Sequence, residues 1–126
     1  MTTDFMKKHL KKYNDATVDV DKETQSPDVI PTGVLGLDVI TGIGGLPRGR
    51  VVELFGDPST GKSTVALTLV AQAQKRGLPC IYLDLEQALD LRYAKNLGVD
   101  INPPNFFMFQ PKSGEEGCEI VRSILM

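Results

Sequence analysis

Apolar positions along the chain fall into a strand, loop and helix rhythm. Val51-Val52-Glu53-Leu54-Phe55 is a short apolar run that reads as a strand. Lys62 to Arg76 follows with Val65, Leu69 and Ala73 at helical spacing. It stops at Gly77, with Lys75 and Arg76 in the last turn, where cations suit the negative end of the helix dipole. Cys80-Ile81-Tyr82-Leu83-Asp84-Leu85 reads as a buried strand, Asp90 to Leu97 as a second helix ended by Gly98, and Phe106 to Phe109 as a third short strand. Cys118, Val121, Ile124 and Leu125 mark a further helix from Gly114 to Met126. Such alternation predicts an α/β fold: a parallel sheet with right-handed crossovers and helices on both faces.

Upstream, Val34 to Ile40 predicts a short helix. Gly42, Gly44, Gly45, Pro47 and Gly49 then break the chain into turns that lead into the strand at Val51. This glycine-rich stretch reads as structural, because it precedes the strand where phosphate chemistry needs it to follow. Asp4 to Tyr13 predicts an amphipathic helix with Phe5, Met6, Leu10 and Tyr13 as its stripe, and Asn14 to Pro31 a polar linker with an extended piece at Ala16 to Val20. A ten-residue helix is marginal alone, so docking on the body or on another subunit is the expected source of its order. The organisation expected is therefore residues 1–30 as a helix and linker serving self-association, and residues 31–126 as the main body. The last helix reaches Met126 without a stop signal, and three parallel strands leave edges and faces open. No apolar strand ending in Asp follows either, so the expectation is a truncated molecule.

Composition changes this picture little. At 126 residues with 41% hydrophobic and 24% charged positions, the chain is sized and composed as one soluble domain. No apolar run approaches the roughly 20 residues of a membrane span. Met1-Thr2-Thr3-Asp4 leads into lysines without an apolar signal core, which makes the cytoplasm the expected location. Cys80 and Cys118 lack a C-x-x-C pattern and read as buried small hydrophobes. The net charge of −2 argues neither for nor against nucleic acid. Lys7, Lys8, Lys11 and Lys12 form one local basic patch, readable as a phosphate contact or as a solvated helix face.

The candidate chemistry lies between the first strand and the helix after it. Gly56-Asp57-Pro58-Ser59-Thr60-Gly61-Lys62-Ser63 fits G-x-x-x-x-G-K-[ST] at every specified position, in strand-to-helix context. Glycines let successive amides point at one spot, and the helix dipole begins there, so polyphosphate is the natural occupant. Lys62 reaches the β- and γ-phosphates, and the Ser63 hydroxyl completes a Mg²⁺ shell. Thr64 lies one step further and packs or caps. The competing reading is a Gly/Ser turn before a lysine-bearing helix.

Further segments extend the pattern: Pro31-Thr32-Gly33-Val34-Leu35-Gly36-Leu37-Asp38, then Gly44-Gly45-Leu46-Pro47-Arg48-Gly49-Arg50, and after the loop Asp84-Leu85-Glu86-Gln87-Ala88-Leu89-Asp90, Tyr93 to Asp100 and Gln110-Pro111. In order and spacing, Ile30 to Pro111 resembles the N-terminal ATPase half of bacterial and phage RecA-type recombinases. The fold implied is a P-loop NTPase with a RecA-like sheet, incomplete here. The function implied for the parent protein is ATP-dependent filament formation on single-stranded DNA, homologous pairing and strand exchange in recombination and repair. ATP and Mg²⁺ are the implied cofactors. Single-stranded DNA would be gripped through regions beyond this chain, and neighbouring protomers through residues 1–30.

Carried over by that resemblance, Glu86 matches the general base that activates the water attacking the γ-phosphate. From the residues alone it reads equally as a solvated acid at a strand end. Tyr93 matches a ring that stacks on adenine, and Asp90 a carboxylate facing its exocyclic amine; alternatively Tyr93 is a core aromatic and Asp90 an N-cap, and Asp90 can do both. Arg48 and Arg50 are readable as contacts to a neighbour or to the DNA, with solvated charges flanking the strand as the safer reading. Two other functions compete: a non-enzymatic nucleotide-binding or interaction module that modulates recombinase filaments, and another RecA-superfamily ATPase such as a helicase or clock-type regulator.

Overall fold

The protein is seen as a computed structural model, which describes residues 27–126. The helix expected at Asp4 to Tyr13 and most of the linker after it, including the extended piece at Ala16 to Val20, lie outside the described residues. In chain order the elements are β1 (Val29–Ile30), α1 (Leu35–Ile40), β2 (Leu46–Pro47), α2 (Lys62–Lys75), β3 (Cys80–Leu83), α3 (Leu91–Asn96), β4 (Phe106–Phe109) and α4 (Gly114–Leu125). It is a small α/β structure with short strands, and every predicted helix within the described residues is present.

The sheet departs from expectation. β3 and β4 pair in parallel in the register Cys80↔Phe106 to Leu83↔Phe109, while β1 and β2 form a separate two-stranded antiparallel ribbon. Val51 to Phe55, expected as a strand, has no regular structure and is exposed throughout, Phe55 to 87%. A strand exists only through its ladder, and among the described residues no backbone group pairs with this run. The expected three-stranded parallel sheet is thus a pair. β3 also stops at Leu83, two residues early, because Asp84 turns the chain with its side chain.

The β1–β2 ribbon has too few residues to show any period in the sequence. Pro47 sits in it because each strand has a free edge that needs no further donor. Gly45 is required by close approach: a Cβ there would lie 2.3 Å from the Ile30 carbonyl oxygen. Beside the ribbon, Thr32 is buried and donates its amide and hydroxyl to Asp38 Oδ1, each at 2.8 Å, which ties the chain before α1 to the helix itself.

The core lies between α2, α3 and one face of the parallel pair. Leu67 and Ala71 from α2 meet Ala94 from α3, then Val99 and Phe106, with Cys80, Tyr82 and Met108 packed around them. The alternation is that of a strand: Tyr82 and Phe106 share this face, their rings 6.3 Å apart, whereas Leu83 turns to the other. There α4 covers only part of the surface, with Leu83, Leu85, Gly117, Cys118 and Val121 lining an apolar groove. Cys118, expected to be buried, is exposed in that groove, because the helical stripe that carries it meets only one edge of apolar surface. Cys80 is half-buried and desolvation raises its thiol pKa, so it behaves as the small hydrophobe expected.

Both capped helices explain their own starts. Asp90 Oδ1 accepts from the amides of Arg92 at 2.8 Å and Tyr93 at 3.1 Å, the N-cap reading of that residue. Ser113 caps α4 through the Glu116 amide at 3.2 Å, while Glu116 accepts from the Lys112 amide at 2.6 Å, a variant of the capping box.

Candidate functional site

The loop from Gly56 to Ser63 is held by its own backbone. Thr60 donates its hydroxyl to the Asp57 carbonyl at 2.7 Å, Ser59 takes a left-handed φ of 62°, and Gly61 a φ of 95°. Gly61 is the N-cap of α2, where that conformation favours a residue without Cβ. It offers no side-chain acceptor to the helix, so the first amides of α2 receive no cap. Among the described residues nothing accepts from the amides of Gly61, Lys62 or Ser63. The Lys62 ammonium curls back over the loop and donates to the carbonyls of Gly56 at 2.8 Å and Asp57 at 2.7 Å. Donor amides, a positive helix end and a cation therefore sit around one concavity. The cavity measures about 600 Å³ and is lined by Gly56, Pro58 to Thr64 and Glu86.

Glu86 reaches this cavity because of a turn built by Asp84. That carboxylate is only 6% exposed and accepts from the amides of Leu89 at 3.0 Å and Ala88 at 3.3 Å, with the Gln110 side-chain amide at 3.4 Å. The Gln87 amide closes the turn onto the Asp84 carbonyl at 3.4 Å, and Gln87 takes a left-handed φ of 52°. Glu86 sits exposed at the tip. A second cavity of about 380 Å³ adjoins the first: Ser63 and Glu86 line both, and Asp90 and Tyr93 line the second. The residues singled out in the sequence are thus brought together at the C-terminal end of β3. Thr64 joins them differently from expectation, its hydroxyl 2.9 Å from the Tyr93 hydroxyl. Tyr93 is 42% exposed and so not a core aromatic.

Two features were missed in the sequence. Asp84 carries the turn under Glu86, and an acid closing an apolar strand two positions before a candidate base was the available signal. Gln110 stood in the sequence pattern without a role, and it is the side-chain partner of Asp84. Arg48 pairs with Asp28 at 2.7 Å with both side chains about half exposed or more, in keeping with a solvated charge.

The family described as the RecA N-terminal domain matches residues 3–126, nearly the whole chain. The chain belongs to the RecA N-terminal domain family. It is 49% identical over 104 residues to protein RecA of Campylobacter lari, a match that covers 82% of this chain and 30% of that relative. Protein RecA of Acidiphilium cryptum is 52% identical over 103 residues, and that of Aquifex aeolicus 50% identical over 98 residues. These matches cover 82% and 78% of this chain, and 29% and 28% of those relatives. The chain therefore spans about 30% of the length of the RecA proteins it matches. No helix among the described residues is long and apolar enough to cross a membrane.

Within this RecA-family chain the Asp84 turn makes a testable pH dependence. Hydrogen bonds, first from the Leu89 amide and then from Ala88 and Gln110, hold the Asp84 carboxyl below its ordinary pKa, against the opposing effect of burial. A depressed folded pKa stabilises the fold above the unfolded value of about 3.9, and that contribution is lost as pH falls through the lower folded value. Asp84→Asn should cost about 1–2 kcal/mol at neutral pH. The gap between variant and parent should close as pH falls through the lowered folded value, in urea unfolding followed by circular dichroism. A gap independent of pH would mean that the charge on Asp84 does not support the turn.

Proposed function

We propose that this chain carries the ATP-binding portion of a RecA-type recombinase, with a P-loop NTPase core built around residues 56–63. The observation that supports it most strongly is the set of free amides at Gly61, Lys62 and Ser63, opening with the Lys62 ammonium into a cavity that Glu86 also lines. The triphosphate lies along the loop from Gly56 to Ser63, in contact with the Asp57, Pro58, Ser59, Thr60 and Gly61 backbone. Lys62 exchanges its two carbonyl partners for phosphate oxygens, contacts between opposite charges in place of two to uncharged acceptors. Ser63 offers its hydroxyl to Mg²⁺, which when bound neutralises charge on the phosphate oxygens. The free donors and hydroxyl at this helix start fit such a group, since every one of them seeks an oxygen.

Asp90 and Tyr93 frame the adjoining cavity, and the base lies there, stacked on Tyr93. Asp90 Oδ1 is occupied by capping, which leaves Oδ2 for an exocyclic amine. Glu86 accepts the proton of the water that attacks the γ-phosphorus, with ADP as the leaving group. The family membership supports reading the whole protein's activity as assembly on single-stranded DNA and homologous strand exchange, and the proposal places it in the cytoplasm with residues 1–30 engaging a neighbouring protomer.

Glu86→Gln separates chemistry from binding. ATP turnover with single-stranded DNA present should fall by at least about 100-fold, the scale of losing a general base, with Mg-ATP affinity changed less than twofold. Turnover that survives the substitution would remove Glu86 from the chemistry.

A further inference from the structure

We infer that Thr64 is a positioning residue for the nucleobase: its hydroxyl holds the Tyr93 ring in register with the phosphate loop, and so sets the site's preference for a nucleoside triphosphate over bare triphosphate. This rests on the nucleotide site proposed above. Thr64 is in the first turn of α2, one residue past Ser63, and its Oγ1 lies 2.9 Å from the Tyr93 hydroxyl, across 29 residues of chain. Thr68, one turn later, bonds back to the Val65 carbonyl at 2.9 Å, as helical threonines commonly do. Thr64 instead spends its hydroxyl on Tyr93.

The contact is one of two tethers between α2 and the segment after β3. At the far end of α2, the Gln74 side chain donates to the Asp100 carbonyl at 2.8 Å and the Asn105 carbonyl at 3.1 Å, and accepts from the Asp100 amide at 2.9 Å. Between the tethers, Leu67 and Ala71 are buried against Ala94 and Val99. The α3 backbone is therefore located by the core and by Gln74. What those contacts leave free is the Tyr93 side chain, 42% exposed and lining the cavity with Ser63, Glu86 and Asp90.

The test titrates the chain with Mg-ATP and with magnesium tripolyphosphate by calorimetry. Thr64→Val keeps the shape and removes the hydroxyl. It should weaken ATP about three- to tenfold, the scale of one side-chain hydrogen bond, and change tripolyphosphate less than twofold. Thr64→Ser should restore ATP affinity, Tyr93→Phe should match Thr64→Val, and the double variant should be no weaker than either single one. Equal weakening of both ligands by Thr64→Val, or additive losses in the double variant, would overturn the positioning role while leaving the loop intact. A parent chain that takes neither ligand, or a Lys62→Ala variant that binds both as the parent does, would overturn the nucleotide site and this inference with it.

Discussion

Leu67→Ala is expected to destabilise the chain by about 2–5 kcal/mol, the range for a large-to-small change at a closed site. Leu67 is 1% exposed and, among the described residues, is the largest apolar side chain fully withdrawn from solvent. Its neighbours Ala71, Ala94, Val99 and Phe106 are mostly small or fixed on separate elements, so little can move in to refill the space. The core is small, and domain stabilities are only about 5–15 kcal/mol, so the loss takes a large share of the total. The same residue lines the cavity of Ser63, Glu86 and Tyr93, which links core packing to the shape of the site. Urea unfolding followed by far-ultraviolet circular dichroism measures the change. A loss under about 1 kcal/mol would mean that α2 does not anchor the core.

Lys62→Ala should weaken Mg-ATP by about 1.5–3 kcal/mol, the worth of a charge-assisted hydrogen bond to phosphate. In the free chain the ammonium is bonded to two backbone carbonyls, Gly56 and Asp57, which stay reachable by water when it is removed. The folded state should therefore lose much less than binding does. That difference separates a ligand-binding lysine from a loop-stabilising one. Lys62→Arg should not rescue, because a planar guanidinium cannot take the place of a compact ammonium under the loop. Calorimetric titration and thermal unfolding on the same samples give both quantities. Loss of stability as large as the loss of affinity would assign Lys62 to the loop alone.

How legible these features were depends on how local their causes are. α2 and α3 could be read because a stop or a cap sits beside each apolar stripe, Gly77 after Lys75 and Asp90 before Leu91, and α4 from its stripe of Cys118, Val121, Ile124 and Leu125 alone. β4 was read to the residue, since Phe106 to Phe109 is bounded on both sides by polar positions. Val51 to Phe55 shows the limit of such reading. A run with four apolar residues in five looks like a strand whether or not a partner backbone is at hand, and here none of the described residues supplies one. Burial of Cys118 failed for the same reason, because a stripe says which face is apolar but not how much surface meets it. The eight-residue loop was legible as contiguous chemistry. Glu86, Asp90 and Tyr93 needed the resemblance to acquire roles, since each has an ordinary reading as a solvated acid, a cap or an aromatic. Asp84 with Gln110 and Thr64 with Tyr93 were out of reach, because each pair meets across 26 and 29 residues respectively.

Amide chemical shifts test most directly whether residues 56–63 hold phosphate. In ¹H–¹⁵N spectra of the chain, Mg-ATP should move the amide protons of Gly61, Lys62 and Ser63 downfield as they acquire acceptors. Magnesium tripolyphosphate should do the same to those three while leaving Tyr93 nearly unmoved. Shifts confined to other parts of the chain, or none at saturating ligand, would contradict a phosphate-binding loop at the start of α2.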